Sequence, residues 1–382
     1  MTGSLRGRAG RGAKRSLPGE AAARAARERS ERERETPGRT ATGLRLPASG
    51  PRGRLADRIS TRWVRLASQY AAVILAALVV NFALPRLAPG DPVDYLVPPE
   101  AGTIDETVRE SMLERFDLDG SGWQQFTSYL ANVARGDLGI SVRDGRAVSE
   151  VVAERLWWSL LLVGTAVAVS TILGVALGFA AGWRRGSRRD VSLLAGVLAV
   201  DALPAFFVGL MLLLVFSVQL EWLPVYGAVS PEALTGWAWI ADAGKRLVMP
   251  AVTLTFVGLG SVFVVARSAM VSELGEDYVF MARAKGLTDR GVRRHAARNA
   301  MVPVSTVALL GFSTLVGAAT VVESVFSYPG LGSLAFSAVR ARDYPVLQAV
   351  FLLLSLIAIG ANLLADLLYP LLDPRVRRAG SR

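Results

Sequence analysis

Along this chain a polar opening of about sixty residues gives way to long apolar runs separated by short polar stretches. A helix crossing a bilayer needs about 20 consecutive apolar residues at 1.5 Å rise per residue. Six runs reach that length, at about 66–84, 157–182, 190–221, 247–271, 300–323 and 346–369. They predict an all-α polytopic membrane protein with six transmembrane helices. Pro250 and Pro303 fall near the starts of the fourth and fifth runs, where a missing amide hydrogen costs little. Gly174, Gly178 and Gly182 recur every four residues in the second run. That spacing fits a groove for a closely packed helix; it also fits the general abundance of glycine in membrane helices.

The third run is 32 residues long, about 48 Å as a straight helix against a hydrocarbon core of about 30 Å. Two crossings here would place the Arg-rich 283–298 segment outside, against the retention of Lys and Arg on the cytoplasmic face. One crossing entered by a short interfacial stretch is therefore expected, with Pro204 bending the helix near Asp201. Region 85–150 is too long for a simple turn. Helical apolar spacing over 105–116 and 123–134 predicts a small helical extracytoplasmic insertion there.

Composition narrows the chemistry. The chain has 52% hydrophobic and 20% charged residues, and its 382 positions include no cysteine and a single histidine, His295. Disulfides, thiolate metal sites, cysteine nucleophiles and multi-histidine centres are excluded, so no enzymatic chemistry of its own is expected. The net charge of +11 resides in the N-terminal stretch: residues 1–65 hold 17 Lys and Arg against 6 Asp and Glu, and residues 66–382 hold 26 of each. A nucleic-acid-binding face on the membrane domain is thus unsupported. Residues 1–60 read as a disordered basic cytoplasmic tail, with a polybasic membrane anchor and a targeting peptide as the alternatives.

Charge also sets the expected orientation. Region 85–150 has 12 acids against 6 bases, the 183–189 turn has four arginines and no acid, and 272–299 has six bases against four acids. Six spans with both termini in the cytoplasm fit every strong segment, with a weak +1 over 324–345 on the outside as the exception.

The polar segment after the fourth run carries the functional expectation. From Glu276 through Lys285 it reads as a short helix, about Asp277 to Lys285, stopped by Gly286 in a left-handed conformation. A second helix starts near Asp289, which is expected to cap it. The small Ala282 and Ala284 would let a partner approach the backbone, and Arg283 and Lys285 supply charge. Such a helix, glycine and helix on a cytoplasmic loop suit a docking knob for another protein.

This segment resembles the loop by which permease subunits of ABC importers engage their ATPases. Phe280, Met281 and Ala282 stand where the general consensus reads Glu-Ala-Ala, and the interval from Gly286 to Pro303 is long. Both departures resemble the peptide/nickel branch, as do Glu276-Asp277-Tyr278-Val279 and Ala282-Arg283-Ala284-Lys285-Gly286-Leu287. Further similar pieces follow in order: Leu87 to Pro92, Gly136 to Gly139, Leu203 to Phe206 and Leu223 to Gly227. Val325 to Gly332, Arg342 to Pro345 and Leu371 to Arg375 complete the set, so the likeness runs from about 60 to 378.

The resemblance implies a type I ABC importer permease domain over 61–378, with 85–150 extracytoplasmic and 272–299 the ATPase-coupling loop. Asp277, Tyr278, Ala282, Arg283, Ala284, Lys285 and Gly286 would form the coupling contact, and Asp201 and Pro204 are candidates for lining the pathway. It implies a second permease subunit, two ATPase subunits and an extracytoplasmic solute-binding protein, all working at a prokaryotic cell membrane. No cofactor is expected on this chain: it has no G-x-x-x-x-G-K-[ST] loop, so ATP would be bound by the partner subunits.

Single features keep their plainer readings. Tyr328-Pro329-Gly330 serves either as a turn or as a gate, and His295 among arginines is more simply solvated than catalytic. Glu323 and Asp366 near span ends are readable as solvated carboxylates, whereas Asp201 lies deeper. The rival function is a secondary transporter driven by an ion gradient, which should show more buried carboxylates and broken helices at the midplane.

Overall fold

The computed structural model describes the backbone of residues 51–87, 120–232 and 234–372, and side chains over 64–83, 120–232 and 234–368. Two compact units divide the chain, Met1–Arg62 and Trp63–Arg382, and the side-chain detail below belongs to the second. Most of the predicted tail and the 105–116 helix lie outside the described residues.

Ten helices follow one another among the described residues, with one isolated bridge, Ile140 to Ala147, as the only extended pairing. They are α1 (Pro51–Leu87), α2 (Gly122–Arg135), α3 (Val148–Trp183), α4 (Arg188–Asp201) and α5 (Ala205–Leu212), the last widening into a π-helical turn over Leu213–Gln219. Then come α6 (Gly236–Leu274), α7 (Asp277–Ala284), α8 (Asp289–Val325), α9 (Leu331–Ala341) and α10 (Tyr344–Leu372). α1 begins inside the stretch read as tail, where Arg, Ala and Leu favour helix and Pro51 occupies a first position suited to proline.

Among the described residues five helices are long and apolar enough to cross a membrane: Val64–Ala83 within α1, then α3, α6, α8, and Tyr344–Leu368 within α10. The pair α4 and α5, bent by 94° between Asp201 and Ala205, makes a sixth when it is counted as one broken span. Pro204 stands as the N-cap of α5, so the predicted bend is in place and is a full break rather than a kink. The helices outlast their apolar runs; α3 has 36 residues, about 54 Å of helix. For that reason Pro250 and Pro303 sit inside α6 and α8, not at their starts as hydropathy alone indicated.

The glycine stripe of α3 explains how closely α3 packs against α6. A Cβ on Gly174 would lie 2.7 Å from Val262 Cγ1, one on Gly178 2.7 Å from both Ala266 Cβ and the Phe263 carbonyl, and one on Gly182 2.8 Å from the Arg267 carbonyl. All three face α6, so the four-residue spacing is a helix-approach groove. Gly164, on the same helix, faces open space. Gly178→Ala should therefore destabilise the detergent-solubilised protein by about 1–3 kcal/mol through overpacking, read as a lowered melting temperature. Gly164→Ala should leave the melting temperature unchanged or raise it, because alanine is the better helix former.

Where the sequence quoted separate motifs, the fold joins them at one end of the bundle. Asp343 is 2% exposed; it accepts hydrogen bonds from Ser141 Oγ at 2.5 Å and from the Arg143 amide at 3.2 Å. The loop after Gly136–Gly139 is thereby fastened to Arg342–Pro345. The Gly227 amide donates to the Phe326 carbonyl at 3.2 Å, joining Leu223–Gly227 to Val325–Gly332. α1 is tied in by Asn81, which donates to the Gln348 carbonyl and to the Tyr129 hydroxyl.

Candidate functional site

The opposite end carries the predicted docking knob. α7 spans Asp277–Ala284, with Asp277 in its first turn and Arg283 in its last, each placed favourably for the helix dipole. Gly286 has φ +79°. Its amide donates to the Arg283 carbonyl, and the Leu287 amide donates to the Ala282 carbonyl. These two bonds form the Schellman pair that a left-handed glycine permits. α8 then begins at Asp289, but its cap is Thr288, whose side chain accepts from the Gly291 amide. Asp289 is the first helical residue rather than the cap: both residues are competent caps, and the backbone turns one position earlier.

The knob has a docked face and a free face. Val279 is 2% exposed, and Tyr278, Val279 and Ala282 pack with Val292 and Ala296 of α8 and Ala266 and Met270 of α6. Tyr278 donates its hydroxyl to Glu273 at 2.5 Å; burial first, then this carboxylate, pushes the phenol up to about 12. His295 lies 5.2 Å from the same ring and is exposed, in keeping with a solvated role. Ala282 thus points toward α8 rather than toward solvent, because positions 278, 279 and 282 share one side of a helix.

The free face consists of Phe280, 76% exposed, Met281, 60% exposed, and Leu287, beside the exposed Arg283, Ala284 and Lys285. Neither Arg283 nor Lys285 forms an ion pair among the described residues. Phe280 and Met281 were legible only as departures from a consensus. An eight-residue helix has too few turns for periodicity to assign its faces.

Asp201 and Pro204 form a second place, apart from α7, at the break between α4 and α5. Asp201 is exposed and lies against Gly260 of α6, where a Cβ would stand 2.3 Å from Oδ1. The α4–α6 contact is fixed nearer the knob by Arg267, which donates to both carboxylate oxygens of Asp190 at 2.6 and 2.7 Å. Asp190 also accepts from the Gly186 amide, and the Ser187 side chain caps α4 by accepting from the Asp190 amide. The sequence signal for this pair was Ser187-Arg188-Arg189-Asp190, a capping pattern hidden among arginines.

Glu323 overturns its solvated reading. It is 1% exposed; Oε1 accepts from Ser159 Oγ at 2.6 Å, and Oε2 accepts from the amides of Gly332 at 2.7 Å and Ser333 at 3.2 Å. The Leu331 amide donates to Ser159 Oγ at 2.7 Å. Three orphan amides at the start of α9 are thereby satisfied by side chains from α3 and α8. Tyr328-Pro329-Gly330 is the turn that wraps this carboxylate, with Tyr328 fully buried edge-on to Trp158. Asp366 is exposed and accepts from the Tyr70 hydroxyl at 2.7 Å.

Similarity to known proteins matches this geometry. The family model of the binding-protein-dependent transport system inner membrane component covers residues 174–378, which include the break, the knob and the Glu323 turn. A glutathione transport system permease protein of Escherichia coli O6:H1 is 38% identical over 301 residues, 78% of this chain and 93% of that relative. An oligopeptide transport system permease protein of Bacillus subtilis is 33% identical over 306 residues, 80% of this chain and 95% of that relative. The chain is therefore a multi-pass permease that belongs to the family of binding-protein-dependent transport system inner membrane components.

Proposed function

We propose that this chain is one of two permease subunits of an ATP-driven importer for peptides, coupled to its ATPases through α7. The observation that carries the reading is the free face of α7. Phe280 and Met281 stand exposed on a short helix whose other side is fastened to α6 and α8. Exposed large apolar residues held rigidly on a polar loop mark a protein–protein contact. A partner closing on this face would move α7, and with it the ends of α6 and α8, as one body. The separate ATPase subunits would supply that closure, and an extracytoplasmic binding protein would deliver substrate at the opposite end.

Peptide as the substrate class rests on the roles of the relatives, one a glutathione and one an oligopeptide permease, and on the motifs shared with the peptide/nickel branch. This reading also places α7 in the cytoplasm, with α2 and α9 outside and both chain termini inside. The native chain lacks cysteine, so single introduced thiols report cleanly. Trp123→Cys should be labelled in intact cells by an impermeant maleimide. Leu287→Cys should react only after the membrane is opened, and Phe280→Cys should cross-link to an ATPase subunit. Labelling of position 287 from outside would overturn the orientation, and absence of any cross-link from position 280 would overturn the contact.

A further inference from the structure

The break between α4 and α5 holds a carboxylate for which no described residue provides a partner. Asp201 is the last residue of α4, its side chain makes no hydrogen bond or ion pair among the described residues, and it is exposed on this chain. Its depth follows from the Asp190–Arg267 pair. Asp201 lies eleven residues along α4 from Asp190, and Gly260 lies seven along α6 from Arg267. At helical rise these separations are about 16 and 10 Å, measured inward from an ion pair beside the Arg-rich turn, in a hydrocarbon core about 30 Å thick.

A carboxylate facing lipid at such depth costs roughly 2.5–3.5 kcal/mol or more. No described residue relieves that cost, and the fold makes room for the group: Gly260 supplies the space that any side chain would fill. The break also ends α4 at membrane depth, so its last carbonyls add negative potential beside the carboxylate. The α5 side contributes the exposed apolar Leu203, Phe206 and Phe207. A single carboxylate, helix-end carbonyls and an apolar flank suit an ammonium group attached to an organic body. No group of three or more acidic, His or Cys side chains gathers among the described residues, so a cage of acidic ligands for a bare metal ion is not offered.

Resting on the peptide-importer reading, we propose that Asp201 is a cation-selective point in the translocation pathway that engages the α-ammonium of the passing peptide. The test uses the assembled transporter with Ala202→Cys, an exposed position adjacent to the carboxylate, modified on this chain and read by mass. A cationic methanethiosulfonate carrying trimethylammonium should react faster than its anionic sulfonate counterpart. Adding Asp201→Asn should lower that rate ratio about tenfold, the low end of the enrichment that a charged cleft with low-dielectric walls gives an oppositely charged solute. Separately, Asp201→Asn should lower the maximal uptake rate of trialanine about tenfold, and Asp201→Glu should restore part of it.

A reagent ratio unaffected by Asp201→Asn, or a thiol closed to both reagents, would overturn the cation site. So would wild-type trialanine uptake by Asp201→Asn. A wild-type importer that ignores trialanine would overturn the peptide reading and the ligand named here, while the reagent ratio still decides whether the cation site exists.

Discussion

Gly286→Val is expected to leave the protein in the membrane at normal abundance while abolishing uptake and releasing the ATPase subunits on purification. No neighbouring atom lies within 4 Å of the Cβ that valine would add, so the defect is conformational rather than steric. At φ +79° an L side chain costs about 1–2 kcal/mol, and a β-branched one more. α7 has only eight residues and is held by one buried valine and two partly buried neighbours. A penalty of that size is comparable to what docks it, so the knob loses its fixed position. Gly286→Asn should keep most of the activity, because asparagine enters the left-handed region readily. Phe280→Asp should reproduce the valine phenotype by a different route, placing an unpaired charge at the contact. Uptake assays and co-purification of the ATPases check all three; full activity of Gly286→Val with ATPases still bound would remove the basis for assigning coupling to α7.

The largest loss of stability should come from Glu323→Ala. The carboxylate satisfies the Ser159 hydroxyl and two α9 amides in a site 1% exposed. Its removal strands two buried donors and the half-buried Ser333 amide at about 1–3 kcal/mol for each buried one if none finds a substitute, and leaves a cavity besides. α9 has no side-chain cap of its own, its N-cap being Gly330, so its first turn should fray and loosen the packing of Leu331 and Leu334 against Val148 and Val151. A fall in melting temperature beyond that of Gly178→Ala, with a smaller fall for the isosteric Glu323→Gln, is the expected pattern. Equal melting temperatures for wild type and Glu323→Ala would mean that the buried network contributes nothing.

How much of this was legible in the sequence depended on how local the cause is. The spans were legible because a hydrocarbon core demands long apolar runs, whatever packs against them. Gly286 was legible because a left-handed stop is a property of one residue and its immediate neighbours. The cap fell on Thr288 rather than Asp289, a choice between adjacent competent residues that only the backbone path decides. Pro250 and Pro303 misled because hydropathy marks where a long uncharged apolar run begins, while helices α6 and α8 begin about eleven residues earlier, in segments interrupted by charges. Glu323 was misread because its partners come from α3 and α9, elements 164 and 9 residues away. The side of α7 to which Ala282 belongs was hidden for the same reason: α8 defines the docked face. The meetings of Gly139 with Pro345 and of Gly227 with Phe326 are likewise tertiary facts.

The energy source is the point on which the ATP-driven reading and an ion-gradient carrier disagree outright, since Asp201 at a broken helix suits either. The decisive measurement is uptake of labelled trialanine into proteoliposomes containing both permeases and the ATPases, with loaded binding protein added outside and nucleotide sealed inside. The account predicts uptake that requires internal ATP, persists when proton and sodium gradients are collapsed, and is lost with Gly286→Val. Uptake that proceeds without ATP and stops when the gradients are collapsed would contradict it.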